Sequence, residues 1–379
     1  MKLNLVNKET SASVYLDLIR GISAIFVMLY HTGYVLFPDL SQVENPNLFF
    51  SILFSLYNRG YSFVMVFFVL SGFLVTSSTL KRIQNNTFTL KMFFVERLTR
   101  LWVVLLPSLI LTYIWAQFQI NISPSKEIEE KLNFQTLMGN IFFLQGVTVK
   151  AFGANTPMWS LAYEFFYYII FAVIVFIIKT NNKFYKIISM ALIIALALFV
   201  GERMMMYFLI WALGGIIVLL PLKKFTNIHI RNAATFTGVL LIILFLFLSR
   251  KMDPYNESFI IDLLIGAAFS LLLYILVSNY NIRPANQVFF ITSFSTLISG
   301  FSYSLYLLHY PVLNFLDAWK KYEKLSPNTL NIFLYFLICI LLILYAWLFS
   351  RVTESKTHKI KLLIQYLIVP SNKKTDITQ

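Results

Sequence analysis

Apolar runs of about twenty residues recur along the whole chain. Twenty residues of α-helix rise about 30 Å, which matches the hydrocarbon core of a bilayer. The pattern predicts about ten transmembrane helices and an all-α, polytopic membrane fold. The predicted spans lie near 14–36, 61–80, 101–120, 159–178, 186–201, 204–222, 233–249, 258–278, 299–318 and 330–350.

Two further apolar segments, Leu48–Tyr57 and Leu132–Val149, are too short or too broken to span a membrane. We predict that both are interfacial or re-entrant. No internal repeat or long polar linker separates the spans. The sequence therefore predicts one membrane domain over 14–350, between an N-terminal segment, 1–13, and a basic tail, 351–379.

Composition excludes a water-soluble globule, because 58% of the 379 residues are hydrophobic and 13% are charged. Lys and Arg are about twice as frequent in the segments on the side of the N-terminus, which by the positive-inside rule places both termini in the cytoplasm. The net charge of +14 is then explained without nucleic acid as a partner. Cys339 is the single cysteine, so we expect no disulfide within the chain and no metal site.

The first predicted helix carries three ionisable residues, Asp17, Arg20 and His31. Charged groups inside a membrane are costly and are therefore candidates for a functional site. Arg20 and His31 are eleven residues apart, which places them on one face about 16 Å from each other. Two structural alternatives remain open: a local ion pair between Asp17 and Arg20, and a packing role for His31.

Glu164 lies on the fourth span, which begins with Trp159 and includes Tyr163. Counting from the outer ends of their helices, Glu164 and His31 lie at similar depth. We expect them to meet in one cavity, as an acid and a base that share a substrate must. The alternative is that Glu164 is a buried acceptor for neighbouring tyrosines.

Two other intramembrane positions have both a functional and a structural interpretation. His309 is either a catalytic candidate or a hydrogen-bond donor near the carbonyl freed by Pro311. Ser71, beside Gly72, either lets a thin ligand approach or serves ordinary helix packing.

A basic cluster precedes the third span and includes Arg97 and Arg100. Their spacing places both on one helix face, and guanidinium groups suit phosphates. Most such clusters only fix topology or contact anionic lipid, which is the alternative here.

Taken together, these segments resemble the acyltransferase-3 family of integral membrane acyltransferases. Five blocks occur in the order of that family: Tyr15–Ile22 followed by Tyr30-His31, Phe67–Phe73, Arg97–Pro107, Trp159–Tyr167 and Ser302–Pro311. One departure concerns the arginine block, which here has no adjacent arginine pair. Which arginine would contact phosphate is therefore open.

The resemblance implies transfer of an acyl group, commonly acetyl, from cytoplasmic acyl-CoA to a hydroxyl of a cell-surface carbohydrate or lipid-linked glycan. It also implies a multi-pass protein of a bacterial plasma membrane, with acyl-CoA as co-substrate and no bound cofactor.

On this basis we expect His31 to be the general base and Glu164 to orient it or to hold the sugar. A covalent acyl-histidine is the other possible mechanism. Acyl-CoA would be bound by Arg20, Ser71, Arg97 and Arg100, and substrate or structural roles would fall to Asp17, Trp159, Tyr163 and His309.

Two competing functions are a transporter or flippase for a surface glycan or its precursor, and a membrane-embedded polymerase or assembly subunit of a polysaccharide pathway. A transporter is disfavoured because no inverted repeat is visible in the sequence. A polymerase is disfavoured because the predicted outer loops are short.

Overall fold

The computed structural model describes residues 10–221, 223–248, 258–280 and 289–368. These residues are mostly α-helical and contain no β-strand beyond one isolated bridge, which confirms the all-α prediction. The helices are α1 (Ser11–Leu36), α2 (Leu48–Tyr57), α3 (Phe63–Gln84), α4 (Leu90–Ile122), α5 (Lys126–Glu130), α6 (Phe134–Ile141), α7 (Trp159–Lys179), α8 (Lys183–Val200), α9 (Glu202–Leu219), α10 (Ile228–Leu248), α11 (Ser258–Tyr280), α12 (Phe289–Ser299), α13 (Ser302–Trp319), α14 (Thr329–Val352) and α15 (Thr357–Ile368).

Nine helical segments within the described ranges are long and apolar enough to cross a membrane. They coincide with nine of the predicted spans, and the polytopic membrane fold is confirmed. The other predicted span, 299–318, is occupied by the 18-residue α13, which is less apolar because it carries His309, Pro311 and Asp317. The orientation of the termini stays a prediction. Residues 1–9 of the predicted N-terminal segment and 369–379 of the predicted tail lie outside the described residues.

Side-chain caps fix the start of several helices. The side-chain oxygens of four residues accept a backbone N–H from the first turn of the helix that follows, which satisfies donors that have no partner inside the helix. These residues are Thr10 before α1, Asn47 before α2, Thr89 before α4 and Asn133 before α6.

The described chain divides into two compact units that alternate along the sequence. The extent of the predicted single domain, 14–350, stays a prediction. The first unit draws on Met1–Asn85, Ala197–Ser302 and Leu325–Asn331, and the second on Asn86–Leu196, Tyr303–Lys324 and Ile332–Gln379.

In the first unit, α3 and α9 pack backbone against backbone. A Cβ atom added at Gly72 of α3 would overlap the carbonyl oxygen of Trp211, and one added at Gly214 of α9 would overlap that of Val69. Small residues allow such close approach between membrane helices. Each helix therefore offers a glycine to the backbone of the other.

We expect Gly214→Ala to lower the free energy of unfolding by about 1–3 kcal/mol, because the new methyl group meets rigid backbone. Thermal unfolding of the purified protein in detergent would measure this. Gly238→Ala is the matched control, since its Cβ would lie an ordinary 3.4 Å from Leu272. Equal stability of the two variants would contradict the close packing of α3 and α9.

In the second unit, α4 and α7 run antiparallel, side by side. The rings of Phe93 and Phe171 are 6.2 Å apart, and the guanidinium of Arg97 lies 6.0 Å from the centre of the Tyr168 ring. Toward the other end of α7, the Lys179 ammonium lies 5.3 Å from the ring of Phe88, just before α4 begins. Residue numbers rise along α7 as they fall along α4, so α4 residues near 100 face the first turns of α7.

The segment between α4 and α7 returns along α4. The indole N–H of Trp102 donates to the carbonyl of Ile141 at 2.9 Å, and the Trp102 and Phe143 rings stack. Trp102 lies about 30 Å along α4 from its end at Ile122. This is the path expected of the predicted re-entrant segment, and it lets α7 begin alongside the middle of α4.

Candidate active site

Glu164, in the second turn of α7, faces two arginines of α4. The hydroxyl of Tyr168, one turn further along α7, donates to Oε1 of Glu164. Arg97 lies over the Tyr168 ring, and Arg100 interacts electrostatically with both Glu164 and Tyr168. The structure thus brings together three residues that the sequence analysis selected separately: Arg97, Arg100 and Glu164.

Glu354 joins the same cluster from the chain that follows α14. Its charge acts on Arg100, and its Oε2 accepts hydrogen bonds from the backbone N–H (3.1 Å) and the hydroxyl (2.9 Å) of Ser304. The neighbouring Tyr303 donates to the carbonyl of Leu101 at 3.3 Å. Glu354 was not predicted as a site residue because it falls in the predicted cytoplasmic tail; the available signal was an acid only four residues beyond the last predicted span.

The cluster lies along the first half of α4. Arg100 is about 15 Å from the start of this helix, which has 33 residues and is about 50 Å long. Because the segment between α4 and α7 returns along α4, the second turn of α7 comes close to Arg100 rather than to the end of α4. The depth of Glu164 in the membrane stays a prediction.

Charges of both signs meet in this cluster. Glu96 and Glu164 act on Arg97, and Glu164 and Glu354 act on Arg100. All four side chains of Arg97, Arg100, Glu164 and Glu354 are partly buried. Such groups are placed inside a membrane where they bind substrates or relay charge.

In the first unit, Asp17, Arg20 and His31 lie on one continuous helix, α1. Arg20 pairs with Asp17 at 3.2 Å, as the structural alternative predicted, and also donates to the carbonyl of Ser299 at 3.4 Å. Ser299 is the last residue of α12, so the cation lies at the negative end of that helix. Arg20 therefore ties α1 to α12.

His31 lies about 16 Å from Arg20 along the same helix, with its ring centre 4.9 Å from that of Tyr30. The side chain is only partly buried. His31 and Glu164 belong to different units, and their meeting in one cavity stays a prediction.

Ser71 has a structural partner in the first unit. Its hydroxyl accepts the indole N–H of Trp211 at 3.2 Å, next to the close contact at Gly72. This arrangement supports the helix-packing interpretation of Ser71 and Gly72. A role of Ser71 in binding acyl-CoA stays a prediction.

His309 is almost fully buried, and its Nδ1 lies 2.8 Å from the carbonyl of Leu305. A carbonyl can only accept, so Nδ1 carries a proton. The carbonyl that Pro311 releases is that of Leu307, and it accepts from the side chain of Asn155 at 2.9 Å. His309 thus has the structural hydrogen bond that was predicted as an alternative, although to a different carbonyl.

Hydrogen bonds join the start of α7 to α13 close to His309. The hydroxyl of Tyr306 donates to the carbonyl of Pro157 at 2.8 Å and lies 2.6 Å from the hydroxyl of Ser160. The rings of Trp159 and Tyr163 meet edge to face at 4.8 Å. These contacts fix the orientation of the helix that carries Glu164.

A buried acid, Asp262, was not among the predicted site residues. It is 2% exposed on α11 in the first unit and accepts from the hydroxyl of Tyr207 at 2.6 Å. The guanidinium of Arg203 lies 6.0 Å from the Tyr207 ring. Asp262 lies near the start of the predicted span 258–278, and its position among apolar residues was the available signal.

Comparison with known proteins assigns the family. Residues 13–351 match the model of the acyltransferase-3 family, described as an acyltransferase domain. The match covers most of the chain and includes the helices that carry His31, Arg97, Arg100, Glu164 and His309. The fold and these ionisable groups are those of an integral membrane protein with polar residues among its helices. The chain belongs to the acyltransferase-3 family.

Individual relatives agree with this assignment. A Staphylococcus aureus (strain COL) protein, provisionally named as an O-acetyltransferase, is 26% identical over 339 residues, which cover 79% of this chain and 53% of the relative. A protein of Haemophilus influenzae without a described function is 30% identical over 140 residues, covering 35% of this chain and 56% of the relative. The chain thus spans about half the length of the curated relatives it matches. No solved structure matches this chain.

Proposed function

We propose that this protein is an integral membrane O-acyltransferase of a bacterial plasma membrane. It transfers an acyl group, commonly acetyl, from cytoplasmic acyl-CoA to a hydroxyl of a cell-surface carbohydrate or lipid-linked glycan. The observation that carries the proposal is the cluster of Arg97, Arg100, Glu164 and Glu354 among the helices of a chain that belongs to this family. A protein that only anchored itself in the membrane would gain nothing from gathering four charged side chains among its helices.

In this proposal, Arg97 and Arg100 bind acyl-CoA, which enters from the cytoplasmic end of α4. Guanidinium groups bind phosphates and polarised carbonyls through charge-assisted hydrogen bonds. Their carboxylate neighbours, Glu164 and Glu354, keep the guanidinium groups oriented when no donor is bound. Arg20 and Ser71 line the path of the neutral pantetheine arm.

His31 is the proposed general base on the acceptor hydroxyl. A neutral imidazole can accept a proton from a hydroxyl group. The hydroxyl oxygen then attacks the thioester carbonyl, the C–S bond breaks, and the proton leaves with the CoA thiol. Glu164 orients the base or holds the sugar, and Asp17, Trp159, Tyr163 and His309 support the helices around the substrates.

Label transfer tests the proposed function. Inside-out vesicles that contain the protein and enclose a crude cell-surface glycan fraction receive radiolabelled acetyl-CoA from outside. We expect label in a glycan ester that alkali releases, and none in vesicles without the protein. If neither acetyl-CoA nor a longer acyl-CoA labels the glycan, the proposal fails. If glycan crosses the vesicle membrane unmodified, the transporter hypothesis replaces the acyltransferase proposal.

A further inference from the structure

A polar cleft of about 440 Å³ lies in the second unit, between the end of α4, the chain around α5 and the middle of α13. This volume is in the range of sites that bind small molecules. Its wall also includes Ala154 and Thr156, directly before α7. The side chains important for its chemistry are Gln119, Ser125, Glu127, Lys131, Tyr310 and Asn314.

The lining is rich in groups that bind hydroxyls. Gln119 and Asn314 each offer an amide donor and an amide acceptor, and Ser125 and Tyr310 offer hydroxyls. Tyr322 adds a half-exposed aromatic ring, whose face can pack against the C–H face of a sugar. Few pockets for apolar ligands have so many polar groups.

The charges of the cleft cancel. Lys131 donates to Glu127 at 2.5 Å, and this hydrogen bond, followed by the charge of Lys131, holds the pKa of Glu127 below its ordinary value. The pair is therefore ionised and neutral overall at pH 7. A cleft without net charge does not favour a phosphate or a nucleotide, but paired charges and amides together suit an uncharged polyol.

We propose that this cleft binds a short carbohydrate segment, the part of the glycan acceptor that positions a hydroxyl for acylation. This inference rests on the proposed function for the role of the bound sugar as acceptor. The cleft adjoins the start of α7, and Tyr310 directly follows His309 on α13. A bound glycan would thus lie next to the helix that carries Glu164.

Cysteine labelling tests the site directly. Cys339 is the single native cysteine and is 4% exposed, so its reaction with maleimides will be slow. Ser125 precedes α5 and makes no side-chain capping bond, so Ser125→Cys loses no hydrogen bond of that kind. A bulky, membrane-impermeant maleimide is applied to intact cells, and labelling rate and acyl transfer to glycan are measured.

We expect the crude cell-surface glycan fraction to slow the labelling of Ser125→Cys at least several-fold. We also expect the attached label to reduce acyl transfer at least ten-fold at saturating acetyl-CoA. Ser326→Cys is the matched control: this exposed serine lies in another predicted outer loop and does not line the cleft. It should label equally with and without glycan and keep full transfer.

The proposal is overturned if glycan does not slow labelling, or if labelled Ser125→Cys transfers acyl groups at the unlabelled rate. Ser123→Cys, on the same wall, repeats the test if Ser125→Cys does not accumulate. Failure of the proposed acyltransferase function would give a different result, because the wild-type protein would then transfer no label to glycan. The protection of Ser125→Cys by glycan would still decide whether the cleft binds carbohydrate.

Discussion

His31→Ala is expected to abolish acyl transfer, with a loss of about 10²–10⁴-fold, while the protein still inserts in the membrane. General-base catalysis contributes a factor of this size. His31 is only partly buried near the end of α1, so its removal leaves no large cavity. Transfer of radiolabelled acetyl groups to glycan measures the effect, and the amount of protein in the membrane fraction is determined in parallel.

The matched control is His358→Ala, which removes an exposed histidine from α15. We expect it to keep wild-type transfer. A covalent acyl-histidine would be revealed by label that remains on the wild-type protein when no glycan is present, and it too would disappear in His31→Ala. A fully active His31→Ala protein would remove His31 from the mechanism.

Replacing both Arg97 and Arg100 by alanine is expected to raise the acyl-CoA concentration for half-maximal transfer at least 100-fold. A hydrogen bond to a charged group contributes about 1.5–3 kcal/mol, which is roughly ten-fold or more for each arginine. Initial rates over a series of acetyl-CoA concentrations measure the change. The glycan dependence should stay close to that of the wild-type protein.

Two further variants separate binding from folding. Lys183→Ala removes an exposed cation at the start of α8 and should leave the acetyl-CoA dependence unchanged. Arg100→Lys keeps the positive charge opposite Glu164 and Glu354, so it should be more stable than the alanine variant. It should still bind acyl-CoA weakly, because lysine lacks the planar fork of N–H groups that arginine offers. An unchanged donor dependence in the double variant would exclude these arginines from acyl-CoA binding.

The sequence predicted the helices well because uninterrupted apolar runs of about twenty residues are typical of membrane spans and rare in soluble domains. It was less informative for α13, where His309 and Pro311 interrupt the apolar pattern of a helix that is buried against protein. Hydropathy reports contact with lipid, and a helix enclosed by other helices need not be apolar on every side.

The site was predicted residue by residue but not as an arrangement. Arg97, Arg100 and Glu164 were each found as ionisable groups in or beside apolar segments, yet their contact depends on where α7 begins. The start of α7 follows from the return of the chain along α4, which includes the bond from Trp102 to Ile141, two residues 39 positions apart. Glu354 was missed because it belongs to the predicted tail. Asp262 was missed although it lies within the predicted span 258–278, where tertiary packing buries it.

The hydrogen bond between Asn155 and Leu307 has a consequence for the insertion of the chain during synthesis. α13 carries a carbonyl released by Pro311 and a buried histidine, both of which are costly in lipid alone. Asn155, Pro157 and Ser160, which bind this helix at Leu307 and Tyr306, leave the ribosome long before it. The polar partners of α13 are therefore already inserted when α13 is synthesised. On leaving the translocon, α13 can pack directly against these partners instead of being exposed to lipid.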